Sequence, residues 1–228
     1  MGLYNNRIVV KVGTSTLTND AGKSDLRTTD RLACVLSDIQ NMGYEVVLVS
    51  SGAIAVGRNK LNMTAKPDSM RMKQAAAAVG QGSLMYLYDK FFGDYDKTVA
   101  QILLNADDIE EEEKKENLIN TFNALLEMGV IPIVNENDSV SYKEIESEDR
   151  LFGDNDMLSA VVAVLCRAKH LVIFSDIDGF YDHDPRLYPN AQLIDQIDAI
   201  DDGVYALAGG AGSRRGTGGM RTKLQAAS

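Results

Sequence analysis

The chain has 228 residues, 45% of them hydrophobic, and a formal net charge of −10. That length and apolar fraction suffice for a sizeable core without disulfide staples, while the negative balance argues against nucleic acid as a main partner, because phosphate-backbone binding needs a basic face. The longest apolar run, LSAVVAVLC (158–166), is far short of the roughly 20 residues of a membrane span, and the N-terminal MGLYNNRIVVKVG has no secretory apolar region and no myristoylation pattern, which Asn6 breaks.

In chain order, RIVVKV (7–12) reads as a first buried strand that delivers Lys11 and then a flexible, hydroxyl-rich turn, Gly13-Thr14-Ser15. TTDRLACVLSDIQNMG (28–43) has helical periodicity, and EVVLVS (45–50) is the second strand. It leads through Ser50-Ser51-Gly52-Ala53, a cap, into the helix SGAIAVGRNKL (51–61), whose first backbone N–H groups are free. A long helix follows (69–92), in which AAAA (75–78) reads as close packing, and then the strand TVAQILL (98–104). The acidic block 107–113 is expected to open one helix, solvating its outer face, with Leu118, Phe122, Leu125 and Leu126 on the buried side. VIPIVN (130–135) is a strand running into Asn135-Glu136-Asn137-Asp138. DNDMLSAVVAVLCRA (154–168) is a helix introduced by Gly153-Asp154-Asn155-Asp156, and HLVIFS (170–175) is a strand followed by Ser175-Asp176-Ile177-Asp178-Gly179. Strands alternating with helices predict an α/β fold, a three-layer αβα sandwich with a mostly parallel central sheet, as a single domain over 1–228. Cys34 and Cys166 lie in apolar helical patterns without CxxC spacing, the signature of reduced core residues in a cytoplasmic protein.

In an open parallel sheet, ligands bind beyond the carboxyl ends of the strands. Each polar cluster above has an ordinary reading as an N-cap or an Asx-type turn. Structural caps, however, need not all fall on one sheet edge, and these do. Two absences narrow the chemistry. No GxGxxG follows the first strand, which removes the main support for a dinucleotide enzyme, and the only histidines are His170 and His183, with no GxSxG elbow. Lysines, glycine-rich turns and carboxylates remain, the toolkit of phosphoryl transfer. GTGGMRTK (216–223) belongs to it, yet Lys223 follows a threonine where a Walker motif has glycine.

The blocks VVKVGTSTL, VSSGAIAVG, IPIVNENDSV, FGDNDMLSA, SDIDGFYDHDPR and GTGGMRTKLQAA, in this order, resemble the amino acid kinase family and, within it, the glutamate-phosphorylating branch. SSGAIA, NEND and GTGGMxTK are the specific blocks, and the resemblance runs from residue 7 to the end of the chain. It implies Mg²⁺- and ATP-dependent phosphorylation of the γ-carboxylate of L-glutamate to L-glutamyl 5-phosphate, the first step of proline biosynthesis. It further implies Lys11 and Lys223 at the transferring phosphate, with Asp156 orienting both. Ser51, Gly52, Ala53, Asn135, Asp138 and Asn155 fall at the glutamate site, Asp138 toward the α-ammonium group. Lys11, Gly13, Thr14, Ser175, Asp176, Thr217, Gly218, Gly219, Met220, Arg221, Thr222 and Lys223 fall on the nucleotide side. No protein ligand for Mg²⁺ is implied. L-proline as feedback inhibitor and a homo-oligomer, dimer or tetramer, are further implications.

Three departures stand out. The acidic stretch 139–152 is longer than the resemblance implies. The chain stops at LQAAS, where the family continues, so the C-terminal end is expected to be incomplete, and no PUA domain is present in the sequence given. The residues leave alternatives open: another kinase of the same fold acting on aspartate, N-acetylglutamate, carbamate or UMP; a non-catalytic amino acid or nucleotide sensor; or, more distantly, a dehydrogenase.

Overall fold

The computed structural model describes residues 6–19, 23–140, 155–208 and 219–228. Five short runs of β-branched and aliphatic residues form one parallel sheet: β1 (Arg7–Val12), β2 (Glu45–Ser50), β3 (Val99–Leu104), β4 (Ile131–Glu136) and β5 (His170–Ile173). Their spatial order is β3-β4-β2-β1-β5. Because all neighbours are parallel, every carboxyl end lies on the same edge. There the register sets Val12 beside Ser50 and Lys11 beside both Val49 and Ile173.

Side chains alternate across a strand, so the sheet has two apolar faces. Val10, Val12, Val46, Leu48, Ile131 and Ile133 point to one, packing on α2 (Leu26–Asn41) and α4 (Met70–Gly93) through Leu36, Leu84, Tyr88 and Phe92. Val9, Val47, Val49, Ile102, Leu104 and Val134 point to the other, against Phe122 and Leu126 of α6 (Glu112–Glu127) and Leu158 and Val162 of α7 (Asn155–Leu165). The result is the expected three-layer αβα sandwich. Cys166 is buried in the second face, where loss of hydration pushes its thiol up to about 12. Among the described residues no helix is long and apolar enough to cross a membrane.

Two glycines bring α3 (Ala53–Lys60) against α4. A Cβ on Gly57 would lie 1.8 Å from the Ala76 carbonyl oxygen, and one on Gly80 would lie 1.8 Å from that of Ala53. Only glycine permits this backbone-to-backbone crossing. It roots the start of α3, at the functional edge, on the longest helix of the chain.

At the opposite edge Arg7 is buried. It donates to the Glu45 carboxylate, to Asn123 Oδ1 at 2.8 Å and to the Cys166 carbonyl at 3.0 Å. One guanidinium thereby joins β1, β2, α6 and the end of α7.

Four local expectations change. The turn after β1 is helical, α1 (Thr14–Leu17), because the Gly13 carbonyl accepts from Thr16 and Leu17 N–H and Leu17 is buried. Helix α2 starts at Leu26, since the Asp25 carboxylate accepts from the N–H groups of Arg27 and Thr28. The acidic block is split into α5 (Asp107–Glu110) and α6 by extended backbone at Glu111. An unbroken helix would align Asp107 with Glu111 and Asp108 with Glu112, like-charge pairs that destabilise it. Finally, a small antiparallel pair, β6 (Phe180–Tyr181) with β7 (Leu193–Ile194), and the helices α8 (Asp202–Leu207) and α9 (Met220–Ala227) follow β5.

Candidate active site

Lys11, the last residue but one of β1, has its side chain 10% exposed, and Asp156, wholly buried, sits in the first turn of α7. Their Nζ and Oδ1 atoms are 2.6 Å apart. The other carboxylate oxygen of Asp156 is 3.0 Å from Lys223 Nζ, which enters from the first turn of α9. The single hydroxyl proton of Thr222 is shared between the same oxygen, 3.3 Å from Oγ1, and the Gly219 carbonyl at 2.9 Å. Burial pushes the Asp156 carboxyl up, but the hydrogen bond and charge of Lys11, and then those of Lys223, outweigh it and hold the pKa below the ordinary carboxylate range. Two ammonium groups against one carboxylate leave the cluster with one net positive charge, in a chain whose balance is −10. A half-enclosed site of that sign draws an anion locally against the field of the whole molecule.

Beside this cluster lies an open pocket of about 400 Å³, lined by residues that include Thr16, Phe174, Ser175, Asp178, Met220 and Lys223. Its size and its apolar walls suit a flat organic ligand whose charged end reaches Lys223. Of the residues expected on the nucleotide side, Ser175, Met220 and Lys223 line it; Gly13 lies close to Lys11, since a Cβ there would be 3.5 Å from Lys11 Nζ. Asp176 and Arg221 are exposed and outside the lining, and Thr217 and Gly218 lie outside the described residues. Thr16, Phe174 and Asp178 are additions that no motif singled out for this role, although SDIDG placed Asp178 in the right loop.

On the other flank the turns after β2 and β4 meet the start of α7. Gly52 adopts φ +104°, a left-handed conformation that glycine takes without steric cost, and caps α3. A Cβ on Gly52 would approach Thr14 Oγ1 to 3.9 Å, and Ser51 N–H donates to the Val12 carbonyl at 3.1 Å, so the first two strand ends are stitched together. Asn155 Nδ2 donates to the Ser50 carbonyl at 3.1 Å and to Asn135 Oδ1 at 3.0 Å. Asn135 Nδ2 in turn donates to Gln81 Oε1 of α4 at 3.0 Å. The Ser50 hydroxyl pairs at 2.7 Å with that of Tyr88, whose burial holds the phenol far above its ordinary pKa and so neutral. Of the residues expected at a substrate site, the structure thus joins Asn135 and Asn155 directly and places Ser51, Gly52 and Ala53 at the adjoining helix start. Asp138 follows β4 and is half-buried. Gln81 and Tyr88 were not legible, because both sit inside a helix read only for packing. Gly153, Asp154 and the rest of 141–154 lie outside the described residues.

Magnesium fits here as part of MgATP. Among the described residues no group of three or more His, Cys, Asp or Glu side chains is placed to hold a metal, and both oxygens of Asp156 already face ammonium groups. Phosphate oxygens and water are the ordinary Mg²⁺ ligands in such sites.

Residues 6–228 match the amino acid kinase family. A glutamate 5-kinase of Clostridium perfringens is 57% identical over 221 residues, covering 97% of this chain and 82% of that protein. A glutamate 5-kinase of Listeria innocua is 52% identical over 222 residues, covering 97% and 80%. Among solved structures, a UMP kinase from Ureaplasma parvum has the same fold, with a TM-score of 0.58, 19% identity, and coverage of 90% of this chain and 86% of that one. The chain belongs to the amino acid kinase family, on its glutamate 5-kinase branch.

Proposed function

We infer that this chain transfers the γ-phosphoryl group of ATP to the γ-carboxylate of L-glutamate, giving ADP and L-glutamyl 5-phosphate, the first step of proline biosynthesis. The observation that carries the reading is the buried Asp156 carboxylate held between Lys11 and Lys223, and the names of the half-identical relatives support it. A carboxylate with a pKa near 4.3 is ionised at neutral pH, so the nucleophile needs no general base. Its oxygen attacks the γ-phosphorus while the bond from that phosphorus to the β,γ-bridging oxygen breaks, and the electron pair leaves with ADP. The difficulty is bringing one anion up to another. Lys11 and Lys223 neutralise charge on the transferring group from two sides, and Asp156 is the positioning residue that keeps both ammonium groups aimed there. When bound, Mg²⁺ neutralises charge on the phosphates.

On this reading, Gly13, Thr14, Ser175, Asp176 and the 217–223 segment serve the nucleotide, with Thr16, Phe174 and Asp178 added. Ser51, Gly52, Ala53, Asn135, Asp138 and Asn155 serve glutamate, Asp138 meeting the α-ammonium group. The enzyme acts in the cytoplasm as a homo-oligomer with L-proline as feedback inhibitor.

The test is a trap. ATP, Mg²⁺ and hydroxylamine are supplied with glutamate, aspartate or N-acetylglutamate, and the hydroxamate of the acyl phosphate is read. ADP release is read separately with UMP. Glutamate gives the dominant signal; hydroxamate from another acid in its place, or ATP turnover with UMP alone, overturns the substrate assignment.

A further inference from the structure

We propose that Gln81 contacts the substrate, its Nε2 amide donating to the α-carboxylate of the amino acid and so helping to select it. The proposal rests on glutamate as the substrate, and it starts from a backbone group. The Glu136 N–H can only donate, and it does so to Asn135 Oδ1 at 2.9 Å. That fixes which end of the Asn135 amide is oxygen. Its Nδ2 therefore faces Gln81, which must turn Oε1 toward it, and its Oδ1 faces Asn155, which must turn Nδ2 toward it. Asn155 Nδ2 has a second hydrogen, and that goes to the Ser50 carbonyl.

The orientation of all three amides thus follows from one N–H, with no ambiguity between oxygen and nitrogen. Two groups remain without a partner among the described residues: Gln81 Nε2, which has only donors, and Asn155 Oδ1, which only accepts. A network that ends in a donor on one side and an acceptor on the other complements a zwitterion. The carboxylate belongs at the Gln81 end, and of the two network ends only the Asn155 acceptor suits the ammonium group that Asp138 meets. Gln81 is well placed to discriminate because it leaves α4 one residue after Gly80, where the helix backbone is locked against Ala53 at the start of α3. A donor on rigid secondary structure selects by position.

A purely structural Gln81 would hold Asn135 through Oε1 alone, and two substitutions separate the roles. Gln81→Glu keeps an acceptor for Asn135 Nδ2 but presents negative charge in place of the donor. Gln81→Lys keeps a donor and loses the acceptor. Steady-state kinetics of these and Gln81→Ala are measured by hydroxamate trapping at saturating MgATP. Gln81→Ala is expected to raise the KM for glutamate about 10-fold or more, the scale of a lost hydrogen bond to a charged group. Gln81→Glu raises it further, and Gln81→Lys stays within about threefold of the wild-type chain, with kcat and the KM for ATP little changed in all three. The reverse order, Gln81→Glu near wild type and Gln81→Lys no better than Gln81→Ala, overturns the proposal. So does a fall in kcat at unchanged KM, which would put Gln81 at the reacting carboxylate. If Gln81→Glu fails to fold, Gln81→Lys against Gln81→Ala still decides. A wild-type chain that yields no hydroxamate from glutamate defeats the substrate reading instead, a separate and visible failure.

Discussion

Lys11 and Lys223, near opposite ends of the chain, grip opposite oxygens of one buried carboxylate, that of Asp156, at 2.6 and 3.0 Å. Such an arrangement holds two cations close together until an anion arrives between them. Lys223→Ala removes one cation at the site of developing charge while leaving Lys11 paired. It is expected to lower kcat by about 10²- to 10³-fold, the scale for losing one preorganised donor in a transition state. The KM for ATP changes far less, because most of the pocket wall is untouched. Initial-rate measurements over ATP concentration check this; a kcat within a few-fold of wild type would take Lys223 out of the chemistry.

Asp156 links the same geometry to pH. Its folded pKa is depressed, so the native state binds fewer protons than the unfolded chain around the carboxylate range. The stability it contributes is therefore complete above about pH 4, the unfolded value, and is lost as pH falls through the lower folded value. Asp156→Asn leaves two lysines facing an amide and should cost about 3 to 5 kcal/mol at neutral pH, the scale for removing one partner of a buried pair. The gap between wild type and variant, from urea unfolding at a series of pH values, should be flat from about pH 7 to 5 and narrow below about pH 4. A gap that narrows already near neutrality would show that another group titrates in its place.

The frame of this site was legible from residues alone, and the reason is periodicity. VVKV, VVLV and IPIV alternate strictly across the sheet, so the carboxyl-end positions of Lys11, Ser50 and Asn135 followed from counting. The triad Lys11, Asp156 and Lys223 came from motif resemblance, and its geometry could not be counted, since α7 and α9 meet only through tertiary packing. What stayed hidden has no period. Gln81 and Tyr88 are polar atoms on a helix whose pattern reports apolar contacts, and Arg7 looks like a solvated residue at a strand start until α6 and α7 close over it. The break at Glu111 falls where an unbroken helix would stack like charges four residues apart, a feature that an amphipathic pattern does not register.

The crossing of α3 and α4 predicts a contrast between two glycines on one helix. At Gly80 a methyl group would fall 1.8 Å from the Ala53 carbonyl oxygen and 2.5 Å from the Gly57 nitrogen, both backbone, so the helices must separate. At Gly82 nothing lies within 4 Å. Gly80→Ala should destabilise by about 1 to 3 kcal/mol or more, as overpacking does, and raise the KM for glutamate by shifting the start of α3. Gly82→Ala should stabilise by roughly 0.5 to 1 kcal/mol, the helix-interior difference between the two residues. Thermal unfolding of both variants, with glutamate kinetics, checks the pair; equal effects would mean that the helices do not touch at Gly80.

Arg7 separates stability from catalysis. It lies at the amino end of the sheet, 2% exposed, with hydrogen bonds to Glu45, Asn123 and the Cys166 carbonyl, and Glu45 is itself 28% exposed. Arg7→Met fills comparable volume but strands three acceptors, and is expected to cost about 3 to 5 kcal/mol. Arg7→Lys recovers part of this at most, because a single ammonium cannot reproduce a fork that meets acceptors on three elements. Adding Glu45→Gln to Arg7→Met should restore some stability by removing the unpaired charge, so the double variant unfolds at higher urea than Arg7→Met alone. In all of these kcat per folded molecule should match wild type, since the pair sits at the amino ends of β1 and β2 and Lys11 near the carboxyl end of β1. A kcat that fell in step with stability in the folded population would show that the two ends of β1 are mechanically coupled.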